Sequence, residues 1–122
     1  MAYYLVRTGK SGQYEEEAIR NGYSLIGWGN VGDINKYFAD GLEFTVKNRI
    51  KDKLIEMYPE FETGTPARIA GELLVFLNEI KINDMIVLPS VRGRSNKIAV
   101  GQVIGDYEFK TIGSEQFHAR AV

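Results

Sequence analysis

The chain has 122 residues and no cysteine, which allows one domain with a substantial core and excludes disulfides and thiolate metal sites. Its 15 basic and 16 acidic residues give a net charge of −1, so any nucleic-acid surface must be a local patch. No apolar run approaches the roughly 18 residues that a membrane span needs, and we expect a cytoplasmic protein.

The N-terminal quarter predicts two strands separated by a short helix. Residues 2–8 form the first predicted strand, and a Gly-Lys-Ser-Gly turn follows it. Residues 13–21 predict a short helix or turn, for which Gly22 is the expected C-cap. Residues 23–30 predict a second strand, because Tyr23, Leu25 and Ile26 favour extended structure.

The second predicted strand ends in Gly27-Trp28-Gly29, which holds the only tryptophan of the chain. Glycine neighbours can leave one face of the indole uncovered, and such a face can stack on a planar ligand. The alternative, which the local sequence alone favours, is a core tryptophan beside an ordinary turn.

The middle of the chain predicts helices. Asp33 is expected to cap a helical turn, and residues 42–58 predict a helix that Pro59 ends. The apolar stripe of this helix is Val46, Ile50, Leu54 and Met57. A second helix begins at Thr65 as N-cap with Pro66 as its first residue. Its apolar face comprises Ile69, Leu73, Phe76, Leu77 and Ile80.

The last third of the chain predicts three strands, at residues 85–88, 98–104 and 117–122, with Tyr107-Glu108-Phe109 and a turn at Gly113-Ser114 between the last two. Strands at both ends with helices gathered between them indicate an α+β fold with a curled, barrel-like sheet.

The sequence contains few residues that could form a catalytic site. His118 is the single histidine and has no cysteine or second histidine to work with, and no metal or other cofactor is expected. We interpret Asp84, Asp106 and Glu108, near the predicted strand ends, as solvated turn carboxylates. The acidic run of residues 15–17 is interpreted as an exposed helix face.

The sequence contains better candidates for a nucleic-acid-binding site than for a catalytic site. The loop at residues 89–96 carries Arg92 and Arg94, and Lys97 follows it, while Arg7 and Lys10 flank the end of the first strand. These cations are candidates for holding nucleic-acid phosphates beside the aromatic wall of Trp28. The alternative for the loop is a solvated hairpin.

Several segments together resemble a known family. They are Tyr4-Leu5-Val6-Arg7, the run from Gly22 to Gly29, Ala70 to Glu79, Asp84 to Ser90, and Ile98 to Tyr107. In this order they resemble the EVE-like N-terminal domains of modification-dependent restriction proteins (McrB-type GTPases, HNH nucleases and Mrr-type nucleases). These domains belong to the PUA-like superfamily, with the YTH readers of methylated RNA as relatives.

The resemblance implies a small antiparallel or mixed β-barrel flanked by helices, covering residues 1–122 as one nucleic-acid-binding domain of a longer restriction protein. Such a domain binds duplex DNA, flips a methylated base into an aromatic pocket and delivers an effector domain or subunit of the restriction system; it is not itself an enzyme. The implied pocket residues are Trp28, Tyr23, Ser24, Gly29, Asn30, Asp33, Leu88, Pro89 and Ser90. The implied DNA-backbone contacts are Arg7, Lys10, Arg92, Arg94 and Lys97.

The chain departs from the family at Ile69 and Leu74, where many relatives carry tryptophans, so the shape of the pocket can differ here. Two other functions stay open. One is an RNA-binding PUA-like module, and the other is an interaction domain with no role in nucleic-acid binding.

Overall fold

The computed structural model describes residues 1–7, 14–38, 43–89 and 98–122. They divide into two compact units. One combines Met1–Gly29 with Ile80–Val122, and the other is Asn30–Glu79.

The first unit contains one helix and all of the described strands. The helix is α1 (Glu15–Asn21). The strands are β1 (Tyr3–Leu5), β2 (Tyr23–Ile26), β3 (Met85–Pro89), β4 (Ile98–Gln102), β5 (Tyr107–Ile112) and β6 (Glu115–Ala121). They form two three-stranded sheets, ordered β1-β3-β4 and β2-β6-β5. The α+β class is therefore confirmed, whereas a closed barrel is not found among the described strands.

The β1-β3-β4 sheet has one buried face and one apolar outer face. β1 runs parallel to β3, and β3 runs antiparallel to β4. Ile86 and Leu88 are buried on one side. The register places the exposed side chains of the outer face on the other side, since side chains alternate along each strand. These are Tyr3, Leu5, Ile98 and Val100, which are 52–65% exposed.

Asp84 fastens the start of the chain to the start of β3. One carboxylate oxygen accepts a hydrogen bond from the Ala2 N–H and the other from the Lys81 N–H, each at 2.9 Å. These two bonds hold the pKa of the Asp84 carboxyl below its usual value. The interpretation of Asp84 as a solvated turn carboxylate is wrong, because its side chain is buried and bound to the backbone.

The β2-β6-β5 sheet packs one face against α1. Ala18 of α1, Leu25, Phe117 and Ala119 form a buried cluster on this face. Gly22 ends α1 in the left-handed conformation, with φ 73°, and the predicted C-cap is confirmed. The expected exposed acidic face is wrong at Glu15, which is buried, although Glu16 is exposed.

The Asn30–Glu79 unit is helical. It contains a 3₁₀ turn (Ile34–Phe38), α2 (Glu43–Met57), α3 (Thr65–Leu74) and a π-helical segment (Val75–Glu79). Asp33 caps the 3₁₀ turn as predicted, since its side chain accepts a 2.9 Å hydrogen bond from the Asn35 N–H.

The predicted apolar faces of α2 and α3 are largely confirmed. Val46, Ile50 and Leu54 are fully buried in α2, as are Ile69 and Leu73 in α3. Two details are wrong. Met57 is 38% exposed at the end of α2. The N-cap of α3 is Gly64, at φ 94°, and Thr65 is already helical.

Candidate functional site

Trp28 lies in an unusual backbone conformation. The predicted strand over residues 23–30 stops at Ile26, and Trp28 has φ 64°, in the left-handed region. A bulky residue in this region costs about 1–3 kcal/mol and is stable only when its surroundings impose the conformation. The Trp28 side chain is half-buried, neither sealed in the core nor fully exposed.

His118 binds the backbone of Trp28. The Nε2 atom of its imidazole lies 3.2 Å from the Trp28 carbonyl oxygen, and Nδ1 lies 2.7 Å from the Tyr107 hydroxyl. A carbonyl can only accept, so Nε2 carries the proton; in the neutral ring Nδ1 then accepts from the Tyr107 hydroxyl. The imidazole is fully buried in β6 and packs beside the rings of Tyr107 and Phe109.

Gly29 provides a second constraint on the tryptophan. A Cβ at this position would lie 2.2 Å from the Gln116 carbonyl oxygen of β6, which no side chain tolerates. At Gly27 a Cβ would meet nothing within 4 Å. The two flanking glycines therefore differ. Gly29 must be glycine because β6 lies so close to it, whereas the space around Gly27 would accept a side chain.

Arg120 lies two residues from His118 on the same face of β6. Its Nε donates to the Gly105 carbonyl at 2.9 Å, and one terminal nitrogen donates to the Ile80 carbonyl at 2.7 Å. The side chain is 2% exposed. Burial lowers the pKa of its guanidinium, and the carboxylates of Asp106 and Asp84 act in the opposite direction.

Sequence reasoning missed the structural roles of His118 and Arg120. The available signal was the alternation of Phe117-His118-Ala119-Arg120, which is typical of a strand with one apolar and one polar face. Such a pattern ordinarily places the polar side chains in solvent. Here they are buried because backbone carbonyls and a tyrosine hydroxyl are positioned to bind them.

The structure separates the predicted pocket residues within β2. Tyr23 lies on the α1 side of the sheet, where the ammonium of Lys110 stands 4.7 Å from its ring centroid. Ser24 lies on the opposite face, paired in register with Arg120, and is buried. Adjacent residues of a strand point to opposite sides, so Tyr23 and Ser24 cannot both line one cavity on one side of the sheet.

The other predicted pocket residues are distributed over both units. Asn30 is exposed, and Asp33, which caps the 3₁₀ turn, is half-buried; both belong to the Asn30–Glu79 unit. Leu88 is buried and Pro89 is half-buried at the end of β3, in the sheet that does not contain β2. Ser90 lies outside the described residues.

Of the predicted phosphate contacts, only Arg7 is described, and it is exposed just beyond β1. Lys10, Arg92, Arg94 and Lys97 lie outside the described residues, so their prediction stays open.

The described residues contain neither a metal-binding cluster nor a membrane-spanning helix. No group of three or more His, Cys, Asp or Glu side chains within the described ranges is arranged to hold a metal ion. None of the helices seen there combines the length and hydropathy that crossing a membrane requires.

Comparison with known proteins adds one match. A family model described as Domain of unknown function (DUF8426) matches residues 3–122. No curated protein and no solved structure was found to match the chain.

Proposed function

The chain belongs to the DUF8426 family, and we propose that it is a reader of modified DNA, built on an EVE-like, PUA-related fold, that stacks a flipped base on Trp28. The observation that carries this proposal is the half-buried indole on a strained backbone that β6 holds in place. Strained residues cluster at sites of function, where pre-organisation offsets their cost. Base stacking needs an aromatic side chain that is fixed in place and still partly accessible, and Trp28 is only half-buried.

The energies constrain how such a reader would work. Flipping a base costs a few kcal/mol, and stacking on an aromatic returns about 1–3 kcal/mol. Phosphate contacts must then contribute the remainder, which makes the affinity salt-dependent. A buried methyl group adds only about 0.8 kcal/mol, so exclusion of water or a polar mismatch with the unmodified base must sharpen the discrimination.

The test is a binding screen against short duplexes that carry methyladenine, methylcytosine, hydroxymethylcytosine or no modification, with single-stranded RNA of matched sequence as a further arm. Trp28 is the only tryptophan, so its fluorescence reports directly on stacking. Trp28→Ala should abolish the preference for modified duplex. Tyr3→Ala is the matched control, since Tyr3 is an exposed aromatic on the outer face of the other sheet.

If Trp28→Ala keeps full discrimination while Tyr3→Ala behaves like the wild type, the indole is not the base platform. Preference for the RNA arm would instead favour the RNA-binding module.

Arg7 provides an independent test of phosphate contact. Arg7→Ala should reduce the slope of log affinity against log salt concentration by about 0.9, the value for one lost phosphate contact. Arg68→Ala is the control, because Arg68 is also exposed but pairs with Glu72 at 2.8 Å in the helical unit. An unchanged slope for Arg7→Ala removes this residue from the DNA surface.

A second candidate function, a protein-interaction domain, is favoured by the outer face of the β1-β3-β4 sheet. The four exposed side chains that define this face, those of Tyr3, Leu5, Ile98 and Val100, lie on the same side of the sheet and are all apolar. Contiguous exposed apolar surface is typical of protein contact sites. Sedimentation of the wild type and of a Leu5→Lys variant tests self-association through this face. Concentration-dependent dimers that the variant abolishes, together with no nucleic-acid binding at low salt, would favour this function.

A further inference from the structure

We propose that His118 is a positioning residue for Trp28, acting through one tautomer that the Trp28 carbonyl selects and that the Tyr107 hydroxyl supports; its role in base recognition rests on the proposed function. His118 does not need to touch a ligand, because its Nε2 binds the Trp28 carbonyl oxygen and so fixes the backbone from which the indole projects.

The hydrogen-bond geometry specifies the tautomer. The Tyr107 hydroxyl, 2.7 Å from Nδ1, can donate a proton to that nitrogen. With Nδ1 accepting, the proton of the neutral ring resides on Nε2 and points to the Trp28 carbonyl, 3.2 Å away. The reverse tautomer would place an Nε2 lone pair against a carbonyl lone pair and remove the attraction that holds residue 28.

The position of His118 suits it to this role. Its ring is fully buried on β6, the central strand of its sheet, and β6 also makes the close contact that requires Gly29. β6 thus contacts both residues of the Trp28–Gly29 peptide bond, through His118 and Gln116. Trp28, which has φ 64°, is therefore bound through its carbonyl by a strand that lies 90 residues later in the chain.

Two variants with amide side chains distinguish the roles of the two ring nitrogens of His118. Gln places its amide near the position of Nε2 and keeps a donor for the Trp28 carbonyl, whereas Asn places its amide near Nδ1 and keeps only the partner of Tyr107. His118→Gln should therefore retain the emission maximum and near-ultraviolet circular dichroism of Trp28, and His118→Asn should shift both. Tyr107→Phe should shift them partially, because the imidazole is retained but Nδ1 loses the hydroxyl that donates to it.

The preference for modified over unmodified duplex should follow the same order. We expect His118→Asn to reduce it about 3- to 10-fold, the factor expected for one lost hydrogen bond, and His118→Gln to stay within about 3-fold of the wild type. A merely structural role would lower the thermal stability of both variants without distinguishing their tryptophan spectra. Equal spectra and equal discrimination in the two variants would overturn the proposal.

A measurement on the wild type keeps the proposal testable even if a variant fails to fold. His118 is the only histidine, so nitrogen-15 NMR of a histidine-labelled sample shows its tautomer without ambiguity. Protonation on Nε2 is expected, and protonation on Nδ1 alone would overturn the proposal. Failure of the wild type to bind any modified duplex would refute the proposed function instead, and the spectra without DNA would still test the role of His118.

Discussion

Gly29→Ala should destabilise the protein strongly, although alanine normally replaces glycine at little cost. Its new Cβ would lie 2.2 Å from the carbonyl oxygen and 2.9 Å from the carbonyl carbon of Gln116. Since non-bonded atoms of this kind prefer separations near 3.5 Å, the two backbones would have to move apart by about 1 Å. Overpacking of this kind costs about 1–3 kcal/mol, and we expect the upper half of that range because the opposing atoms are backbone.

Gly71→Ala is the matched control in this experiment. Gly71 lies inside α3, and a Cβ there would meet only the side chain of Lys47, at an ordinary 3.8 Å. The substitution should therefore stabilise the protein by about 0.5–1 kcal/mol through improved helix propensity.

Thermal unfolding followed by circular dichroism, with urea titration for the free energies, measures both variants. The melting temperature should fall by about 8–12 °C for Gly29→Ala and rise by about 2–4 °C for Gly71→Ala. A Gly29→Ala protein that melts within 2 °C of the wild type would show that the approach to β6 is not a constraint.

Three further predictions concern residues with buried or strained contacts. Trp28→Gly should be more stable than Trp28→Ala by about 1 kcal/mol in urea titration, because only glycine relieves the left-handed backbone; equal stabilities would argue against strain. Asp84→Asn should lower the unfolding free energy at pH 7. The pKa of Asp84 is lower in the folded state than in the unfolded state, so its carboxylate stabilises the fold above the unfolded-state pKa, and this stabilisation is lost as the pH falls through the folded-state pKa. The difference in unfolding free energy between wild type and variant should therefore shrink as the pH falls from about 4. A gap unchanged at pH 2 would exclude the carboxylate as its source. Arg120→Met should cost about 2–5 kcal/mol by leaving the carbonyls of Gly105 and Ile80 without this donor, and a cost below 1 kcal/mol would show that these bonds are dispensable.

Local signals in the sequence predicted the features that neighbouring residues determine. The buried stripes of α2 and α3 follow from the helical period, and the caps at Gly22 and Asp33 depend on atoms a few residues away. The α+β class followed from the order of these elements.

Features imposed by distant residues could not be predicted in this way. Trp28 has a left-handed backbone, and its carbonyl binds His118, 90 residues later. The burial of Asp84 depends on the Ala2 N–H, 82 residues earlier, and that of Arg120 depends on the carbonyls of Gly105 and Ile80. No local pattern encodes such partners, so the sequence identified Trp28 as a candidate site residue but not the residues that bind its backbone.

The strand pairing also has a consequence for how the chain acquires its structure. β1 pairs with β3, and β2 pairs with β6, so each sheet joins an N-terminal strand to one synthesised much later. Contacts this distant in sequence slow folding, because a long loop must close before they form. On the ribosome, we expect the helices of Asn30–Glu79 to form while β1 and β2 still await their partners, and the backbone of Trp28 to become ordered only after His118 has left the exit tunnel.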